Sequence, residues 1–156
     1  MIIRRAVLDD ISGIDKLLYQ VQHIHHVGWP DLFKHGAKKY TDEELAVIIA
    51  DDMRPIFVGV DENNTVLGYA FCVFELREEN TSVTALKTLY IDDLCVDETC
   101  RGQNIGTELC EYVRRFAKEQ NCDNITLNVW AINPKAYKFY EKCGFEPLKT
   151  YMEYRL

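Results

Sequence analysis

A glycine-bearing turn in the second half of the chain is suited to binding a phosphate or pyrophosphate group. Residues 101–107 read Arg-Gly-Gln-Asn-Ile-Gly-Thr, with an apolar strand pattern before them and an amphipathic helix pattern directly after. A turn of this kind points free backbone N–H groups and the positive end of a helix dipole at one spot. The arrangement therefore predicts a pyrophosphate cofactor bound where the helix begins.

Two adjacent carboxylates, Asp92 and Asp93, interrupt an otherwise apolar run at 89–96. Consecutive strand residues point to opposite faces of a sheet, so we expect one of the two carboxylates to face a site on either side. A charge in a central strand is costly and is usually retained for a reason. We interpret the pair as candidate reactive groups; the alternative is a solvated strand-end residue beside a structural hydrogen bonder.

Composition indicates one folded domain. The chain has 156 residues, of which 47% are hydrophobic and 28% charged, and its net charge is −7. Such values are typical of globular proteins, and no apolar run approaches the ~20 residues needed to span a bilayer. The acidic balance, with no stripe of Lys and Arg, argues against nucleic acid and favours a cationic substrate. The N-terminus begins a strand and lacks a signal-peptide pattern, so we expect a cytoplasmic protein.

Cysteines and histidines give no metal-binding pattern. None of the six cysteines forms a C-x-x-C pair, and we expect them to be reduced and mostly buried. Three histidines, His23, His25 and His26, lie close together, and the first and last would share a helical face. No acidic or cysteine ligand follows at a matching spacing, so we expect a solvated helix end near the mouth of the site and no bound metal.

Apolar periodicity and turn residues predict the elements that position these groups. Helices are predicted to begin at the Asp9-Asp10 cap, at the Thr41 capping box, at the glycine turn and at Pro134. Strands are predicted at 2–7, 56–60, 66–76, 83–96 and 124–130, with a last strand or strand pair at 145–156. The order β-α-α-β-β-β-α-β-α-β predicts an α/β fold with helices on both faces of a mixed central sheet.

Two motifs resemble signatures of the GNAT superfamily of N-acetyltransferases, which bind acetyl-coenzyme A. Arg-Gly-Gln-Asn-Ile-Gly at 101–106 resembles R/Q-x-x-G-x-G/A, with Asn104 where the family usually has a second glycine. The segment from Asn133 to Phe145 resembles N-x-x-A-x-x-F/L-Y-x-x-x-G-F. Asn tolerates left-handed backbone, so we expect the turn to form. The resemblance implies a single GNAT domain over 1–156 and acetyl-CoA as the acyl donor.

The reaction that the resemblance implies is transfer of an acetyl group from a thioester to an amine. Only the neutral amine attacks, and an alkyl amine of pKa near 10.4 is almost entirely protonated at pH 7. Asp92 and Asp93 are therefore the candidate base and amine anchor, and the strand around them resembles that of the diamine (spermidine/spermine) acetyltransferases. Tyr140 matches the family tyrosine near the thioester sulfur and is the candidate acid; the alternative is a core tyrosine.

The same resemblance assigns the cofactor contacts. The backbone of Leu94, Cys95 and Val96 would pair with the pantetheine arm as an added strand, and one N–H would polarise the thioester oxygen. Asn133 resembles a family residue that contacts the cofactor arm, with a structural cap as the alternative. The pyrophosphate would lie against the amides of the turn, at Arg101, Gly102, Gln103, Asn104, Ile105, Gly106 and Thr107.

The candidate acceptor-site residues are Trp29, Phe33 and Tyr90. The first two fall in the loop predicted at 27–40, and in GNAT proteins that loop flanks the acceptor site. The alternative is a loop whose aromatic side chains hold it against the core.

The function expected from these motifs is acetyl-CoA-dependent N-acetylation by direct attack in a ternary complex. The expected acceptor is a small primary amine, with a polyamine or diamine favoured by the carboxylate pair and the acidic composition. One alternative is an enzyme of the same fold that acetylates a protein N-terminus or lysine. Another is a non-catalytic acyl-CoA-binding regulatory module, against which Tyr140 and the carboxylates argue. No nucleic-acid or membrane partner is expected, and a homodimer is a further expectation.

Overall fold

The computed structural model describes all 156 residues and contains a five-stranded mixed sheet. The strands are Ile2–Arg5 (β1), Ile56–Val60 (β2), Val66–Arg77 (β3), Leu86–Val96 (β4) and Asn124–Leu127 (β5). The helices are Ile11–Gly28 (α1), Asp42–Ile49 (α2), Ile105–Glu119 (α3) and Pro134–Lys142 (α4). Strands lie in the order β1-β2-β3-β4-β5, and every neighbouring pair is antiparallel except the parallel pair β4–β5.

Helices pack on both faces of this sheet, which confirms the predicted fold class. On one face, Ile14 and Leu17 of α1 join Leu45 of α2 in a buried apolar cluster with β2 and β3. On the other face, Val113 and Ala117 of α3 pack in a second cluster. Alternating strand residues supply the two clusters, because successive side chains of a strand point to opposite faces. No helix combines the length and the apolar character needed to cross a bilayer.

Two helix ends differ from the sequence prediction. Helix α1 continues through Gly28 instead of ending before Val27, and a side chain at Gly28 would collide with Ile132. Helix α2 begins as predicted, because the Thr41 hydroxyl accepts from the Glu44 N–H at 3.2 Å and the Glu44 carboxylate accepts from the Thr41 N–H at 2.8 Å. This helix ends at Ile49, several residues earlier than predicted.

The last strand or strand pair predicted, at 145–156, is wrong. The Phe145 N–H donates to the Tyr140 carbonyl at 3.0 Å, but residues 146–156 belong to no helix or strand. They also make no backbone–backbone hydrogen bond. A strand exists only where its N–H and C=O groups find partners, and no neighbouring strand lies beside this segment. Strand β5 also ends earlier than predicted, at Leu127.

Candidate active site

A β-bulge at Asp92 shapes the centre of the molecule. The β3–β4 register pairs Phe71 with Asp93 and Cys72 with Ile91, so Asp92 is an extra residue without an opposite partner. Uninterrupted alternation, as expected from the sequence, would send the two carboxylates to opposite faces. That expectation is wrong because the register shifts between Phe71 and Cys72, and the partners of the two carboxylates, Tyr40 and Tyr69, pack in the same cluster. Both aspartates line one cavity.

The cavity has a volume of about 220 Å³ and lies where β4 and β5 separate. Strand β5 pairs with β4 only from Thr88 to Ile91, whereas β4 continues to Val96. The end of β4 therefore keeps a backbone edge without strand pairing on its β5 side. The residues that line the cavity are Val21, Ile24, His25, Ile91, Asp92, Asp93, Leu94, Cys95, Val96, Arg101, Asn128, Val129, Trp130, Asn133, Ala136 and Tyr140.

Asp92 already holds a cation. The Lys39 ammonium donates to its Oδ2 at 2.6 Å, and the Tyr40 hydroxyl donates to the same oxygen at 3.1 Å. Burial disfavours the Lys39 ammonium, but the Asp92 carboxylate outweighs that effect and raises the pKa of Lys39. The Tyr40 ring stacks on Phe71, with 5.6 Å between centroids, which fixes this end of the loop over the sheet.

Asp93 has a different environment. Its carboxylate accepts from the hydroxyl of Tyr69, a fully buried residue, at 2.8 Å. Burial raises the pKa of Asp93 above its ordinary value, against the opposing influences of the Tyr69 hydrogen bond and the Lys39 charge. The negative charge of Asp92 raises it further. Two adjacent carboxylates thus differ in role: Asp92 is paired with an ammonium, whereas Asp93 is shifted toward the pKa range of a general base.

Tyr140 on α4 lies in the same cavity as the carboxylates. Its ring packs against Phe139 and Phe145, with centroid distances of 5.1 and 5.7 Å. Burial, followed by the neighbouring Cys110 thiol and the Asp93 carboxylate, raises the pKa of Tyr140 well above its ordinary value. The hydroxyl therefore stays protonated at neutral pH and is able to donate a hydrogen bond into the cavity.

Helix α4 is fixed at both ends. Asn133 caps its N-terminus, with Oδ1 accepting from the Ala136 N–H at 3.1 Å, and Asn133 also lines the cavity. At the other end, the Arg114 guanidinium of α3 donates to the Cys143 carbonyl. The structural-cap alternative for Asn133 is therefore observed, and its surface in the cavity leaves it able to contact a ligand as well.

The glycine turn has the left-handed backbone that its sequence predicts. Gly102 has φ of 82° and Asn104 has φ of 62°, and α3 begins at the next residue, Ile105. Arg101 lines the cavity and its Nε donates to the Val96 carbonyl at 3.4 Å. Gly106 has a separate packing role, since a Cβ there would lie 3.1 Å from Cζ of Phe139 on α4. The turn thus places a cation and the N-terminus of α3 beside the free edge of β4.

Aromatic side chains border the cavity beside α1. Trp130 lines the cavity and packs edge-on against Trp29 and Phe33, with centroid distances of 5.6 and 5.4 Å. Tyr90 does not line the cavity; its hydroxyl accepts from the Asn128 amide at 3.0 Å. Trp29 and Phe33 therefore pack against Trp130, which lines the cavity. Tyr90 contacts a different lining residue, Asn128.

His25 differs from the expected solvated helix end. It lines the cavity and lies 4.8 Å from the Phe33 ring, measured between centroids. Burial, and then the charge of Lys39, lowers the pKa of His25, so its imidazole is neutral at neutral pH. No group of three or more His, Cys, Asp or Glu side chains is arranged to hold a metal ion.

Sequence reasoning missed several residues of this site, chiefly Lys39, Tyr40, Tyr69 and Trp130. Only Trp130 could have been found from the sequence, because it comes shortly before the Asn133 motif. Lys39 and Tyr69 reach the carboxylates from distant parts of the chain, through contacts that no local spacing encodes.

Comparison with known proteins places the chain among acetyl-transferring proteins. Residues 18–145 match the family model described as "Acetyltransferase (GNAT) family". The thialysine N-epsilon-acetyltransferase of Mus musculus is 29% identical over 90 residues, which are 58% of this chain and 50% of that protein. The YwnH protein of Bacillus subtilis is 30% identical over 95 residues, which are 60% of this chain and 55% of YwnH. The chain spans about half the length of these curated relatives.

Solved structures extend the likeness over the whole chain. A crystal structure of a mutant BH1408 protein from Bacillus halodurans is 30% identical, with a TM-score of 0.95 over 100% of this chain and 99% of that one. The aminoglycoside N-acetyltransferase AAC(6')-Iy in complex with CoA gives a TM-score of 0.72 at 15% identity, covering 99% of this chain and 98% of that one. At this low identity, the similarity to the aminoglycoside acetyltransferase shows a shared fold only.

Proposed function

The chain belongs to the acetyltransferase (GNAT) family, and we propose that it transfers an acetyl group from acetyl-coenzyme A to a small primary amine with a second cationic group. Residues 1–156 form the proposed catalytic domain. One observation carries the proposal: the bulge at Asp92 brings both carboxylates into the cavity that Tyr140 also lines. The cavity therefore offers two carboxylates and a hydroxyl. In the proposed reaction one carboxylate is the base, the other binds the second cation of the acceptor, and the hydroxyl stabilises the leaving thiolate.

The residues present fit an acyl-CoA donor. The free edge at the end of β4 accepts an extended polar chain as an added strand, and the left-handed turn ahead of α3 presents backbone amides to phosphate oxygens. Arg101 adds a positive charge between these two surfaces. When bound, acetyl-coenzyme A supplies the acyl thioester, and a backbone N–H at Leu94, Cys95 or Val96 polarises its carbonyl.

Asp93 is the proposed base. Its raised pKa lies closer to the pKa of an alkylammonium than that of an ordinary aspartate does. Proton transfer from the ammonium to Asp93 is therefore less unfavourable. Removing that proton, directly or through water, gives the neutral amine that attacks the thioester carbonyl carbon. The Tyr69 hydroxyl keeps one carboxylate oxygen oriented, which leaves the other to receive the proton.

Tyr140 is the proposed acid at the leaving group. As the carbon–sulfur bond breaks, negative charge develops on sulfur, and a protonated hydroxyl in the cavity stabilises that charge by a hydrogen bond. The pKa of Tyr140 is raised well above that of a thiol, so the hydroxyl is protonated in the resting protein and is able to donate a hydrogen bond to sulfur. The proton follows to sulfur and is replaced from solvent.

Asp92 is the proposed anchor for the second cationic group of the acceptor. The contact with Lys39 supports this role, because the alkylammonium group of Lys39 lies 2.6 Å from the Asp92 carboxylate. The carboxylate is mostly covered and Lys39 is partly exposed, with side-chain exposures of 23% and 41%. A substrate ammonium of the same chemistry is able to exchange with Lys39 at little cost in desolvation.

A second acceptor class is favoured by the same pair. A zwitterionic amino acid would place its α-ammonium on Asp92 and its carboxylate on Lys39, which keeps both charges of the pair compensated. The name of the mouse relative specifies an acceptor of amino-acid type. A peptide acceptor draws support only from the aromatic group around Trp130 at the border of the cavity.

An acceptor screen tests the proposal. Thiol release from acetyl-CoA is measured with a diamine, a monoamine of equal length, free lysine and a lysine-containing peptide. We expect turnover with the diamine to exceed that with the monoamine by at least tenfold in kcat/KM. Preference for lysine supports the zwitterion alternative, and preference for the peptide replaces both. Coenzyme A binding without turnover on any amine would indicate the non-catalytic module.

A further inference from the structure

The side chain of Lys39 presents a primary amine where the proposed reaction would bind a substrate cation. Its ammonium lies 2.6 Å from Oδ2 of Asp92, and Asp92 lines the cavity. The Lys39 side chain is 41% exposed, so the ammonium is not enclosed at this position. A protein proposed to acetylate amines therefore carries an amine of its own at the wall of the candidate active site.

Tyr40 fixes the backbone beside this lysine. Its ring stacks on Phe71 of β3, with 5.6 Å between centroids, and its hydroxyl donates to Asp92 at 3.1 Å. The Lys39 ammonium also lies 5.4 Å from the centroid of the Tyr40 ring. Because the next residue is held at two points, the base of the lysine side chain stays beside the cavity while its flexible stem changes rotamer.

The Lys39 ammonium is also within electrostatic range of the proposed base. The charge of Asp93 contributes to raising the pKa of Lys39, and the charge of Lys39 opposes the rise in the pKa of Asp93. Asp93 directly precedes residues 94–96, whose free backbone edge is proposed to bind the thioester arm. A rotamer change that moves the ammonium from Asp92 toward this edge therefore brings it toward both the base and the acyl carbon.

An amine that belongs to the protein has an entropic advantage over an amine from solution. Well-oriented intramolecular reactions reach effective molarities of about 10⁵ M and above, and a small part of that advantage compensates for imperfect orientation. The ion pair with Asp92 opposes the reaction, because it stabilises the protonated amine and raises the pKa of Lys39. The rate of any reaction at Lys39 should therefore increase with pH.

We propose that Lys39 is a self-acetylation site, to which the protein transfers an acetyl group from its own bound acyl thioester. This inference rests on the proposed function. The ammonium loses a proton to Asp93 or to water, and Nζ then forms a bond to the thioester carbonyl carbon. The carbon–sulfur bond breaks, and sulfur leaves with the electron pair and takes a proton from Tyr140, which regains one from solvent. The products are an acetyl-lysine amide, free coenzyme A thiol and one released proton.

Lys38 is an internal control with the opposite placement. Its ammonium lies 2.5 Å from Asp15 and 2.6 Å from Asp42, and neither carboxylate lines the cavity. Carboxylate partners raise the pKa of both Lys38 and Lys39, so an ion pair suppresses the intrinsic reactivity of each amine. The two neighbours therefore differ chiefly in their position relative to the candidate active site.

Tandem mass spectrometry of the full chain, incubated with isotope-labelled acetyl-CoA and no added amine, tests the proposal. We expect Lys39 to gain label at least tenfold faster than Lys38. Tyr140→Phe should slow labelling of Lys39 about 10²-fold and leave Lys38 unaffected, because direct chemical acetylation does not use the Tyr140 hydroxyl. Lys39→Arg, which keeps the positive charge beside Asp92, should carry no label at that position.

Mixing two variants tests whether the transfer stays within one molecule. Lys39→Arg protein has no acceptor lysine at the site, and Tyr140→Phe protein keeps the lysine but lacks the proposed acid. The mixture should label Lys39 no faster than Tyr140→Phe protein alone; faster labelling shows transfer between molecules and overturns self-acetylation.

Equal labelling of Lys38 and Lys39, or labelling of Lys39 that is insensitive to Tyr140→Phe, also overturns the proposal. An unlabelled Lys39 in a protein that releases thiol with an external amine rejects self-acetylation and leaves the proposed function intact. Absence of both label and thiol release rejects the two together.

Discussion

The Lys39 ammonium lies 2.6 Å from Oδ2 of Asp92, so the protein places one of its own amines against the carboxylate proposed to hold the acceptor. The contact joins the loop ahead of α2 to the bulge of β4, 53 residues apart in sequence. Any acceptor whose ammonium binds Asp92 must displace or share this lysine. The pair therefore provides a direct test of acceptor chemistry.

Lys39→Met should improve diamine binding. The variant removes the competing charge and keeps most of the apolar stem, so Asp92 becomes available to the substrate. We expect KM for the diamine to fall about tenfold, equivalent to about 1.4 kcal/mol, with little change for a monoamine of equal length. Steady-state thiol release measures both. Lys38→Met is the matched control, because Lys38 pairs with Asp15 and Asp42 instead. A lower rate with free lysine as acceptor would favour the zwitterion class.

Asp93→Asn should lower activity and raise stability together. Burial raises the folded-state pKa of Asp93 above its unfolded value, so the folded protein binds more protons between the two. Stability is then lost as pH rises through that window, and the cost is fully present above it. The amide avoids this cost, so we expect a higher thermal midpoint at neutral pH than in wild type, with the difference vanishing in acid.

Turnover of the Asp93→Asn variant should fall ~10²- to 10⁴-fold, with loss of the rising limb of the pH profile. Unchanged turnover would remove Asp93 from the role of base.

Tyr140→Phe should separate chemistry from folding. The substitution removes one hydroxyl and keeps the ring contacts with Phe139 and Phe145. Turnover should fall ~10²-fold while coenzyme A affinity stays as in wild type. Tyr137→Phe on the same helix is the control, since Tyr137 does not line the cavity. Equal kcat for the two variants would leave Tyr140 as a core residue.

Gln103→Glu should weaken coenzyme A binding by charge alone. Gln103 is exposed in the turn before α3, and the substitution changes neither its shape nor the backbone. A negative charge there opposes phosphate, so we expect a several-fold higher dissociation constant in calorimetry, an effect that shrinks in high salt. Gln120→Glu, at the other end of α3, is the matched control and should bind as wild type. Identical affinities would place the phosphates elsewhere. Gly106 is unsuitable for this test because of its contact with Phe139.

Local patterns predicted most of the fold from the sequence. The Thr41 capping box, the glycine turn and the Asn133 cap are short-range signals, and each begins a helix where it was expected to. The last strand was wrong because its alternation describes a segment suited to pairing but says nothing about whether a partner strand is within reach.

The candidate site was predicted in composition but not in arrangement. Asp92, Asp93 and Tyr140 were identified from sequence, and the structure brings them into one cavity. The side on which the carboxylates lie depends on the register between β3 and β4, which is a long-range property. The same holds for Lys39 and Tyr69, whose hydrogen bonds to the pair arise only on folding.

The bulge at Asp92 makes the site sensitive to the number of residues in β4 as well as to their identity. Deleting one residue at the bulge would restore uninterrupted pairing with β3, and it would do so without removing the remaining aspartate. The other residues of β4 would keep their partners and their faces, because Phe71 already opposes Asp93 and Cys72 already opposes Ile91, so the cavity would lose one of its two carboxylates and nothing else. A one-residue deletion at this point of β4 in a distant relative therefore changes the charge of the site, whereas a deletion in the loop before β4 changes only the length of that loop.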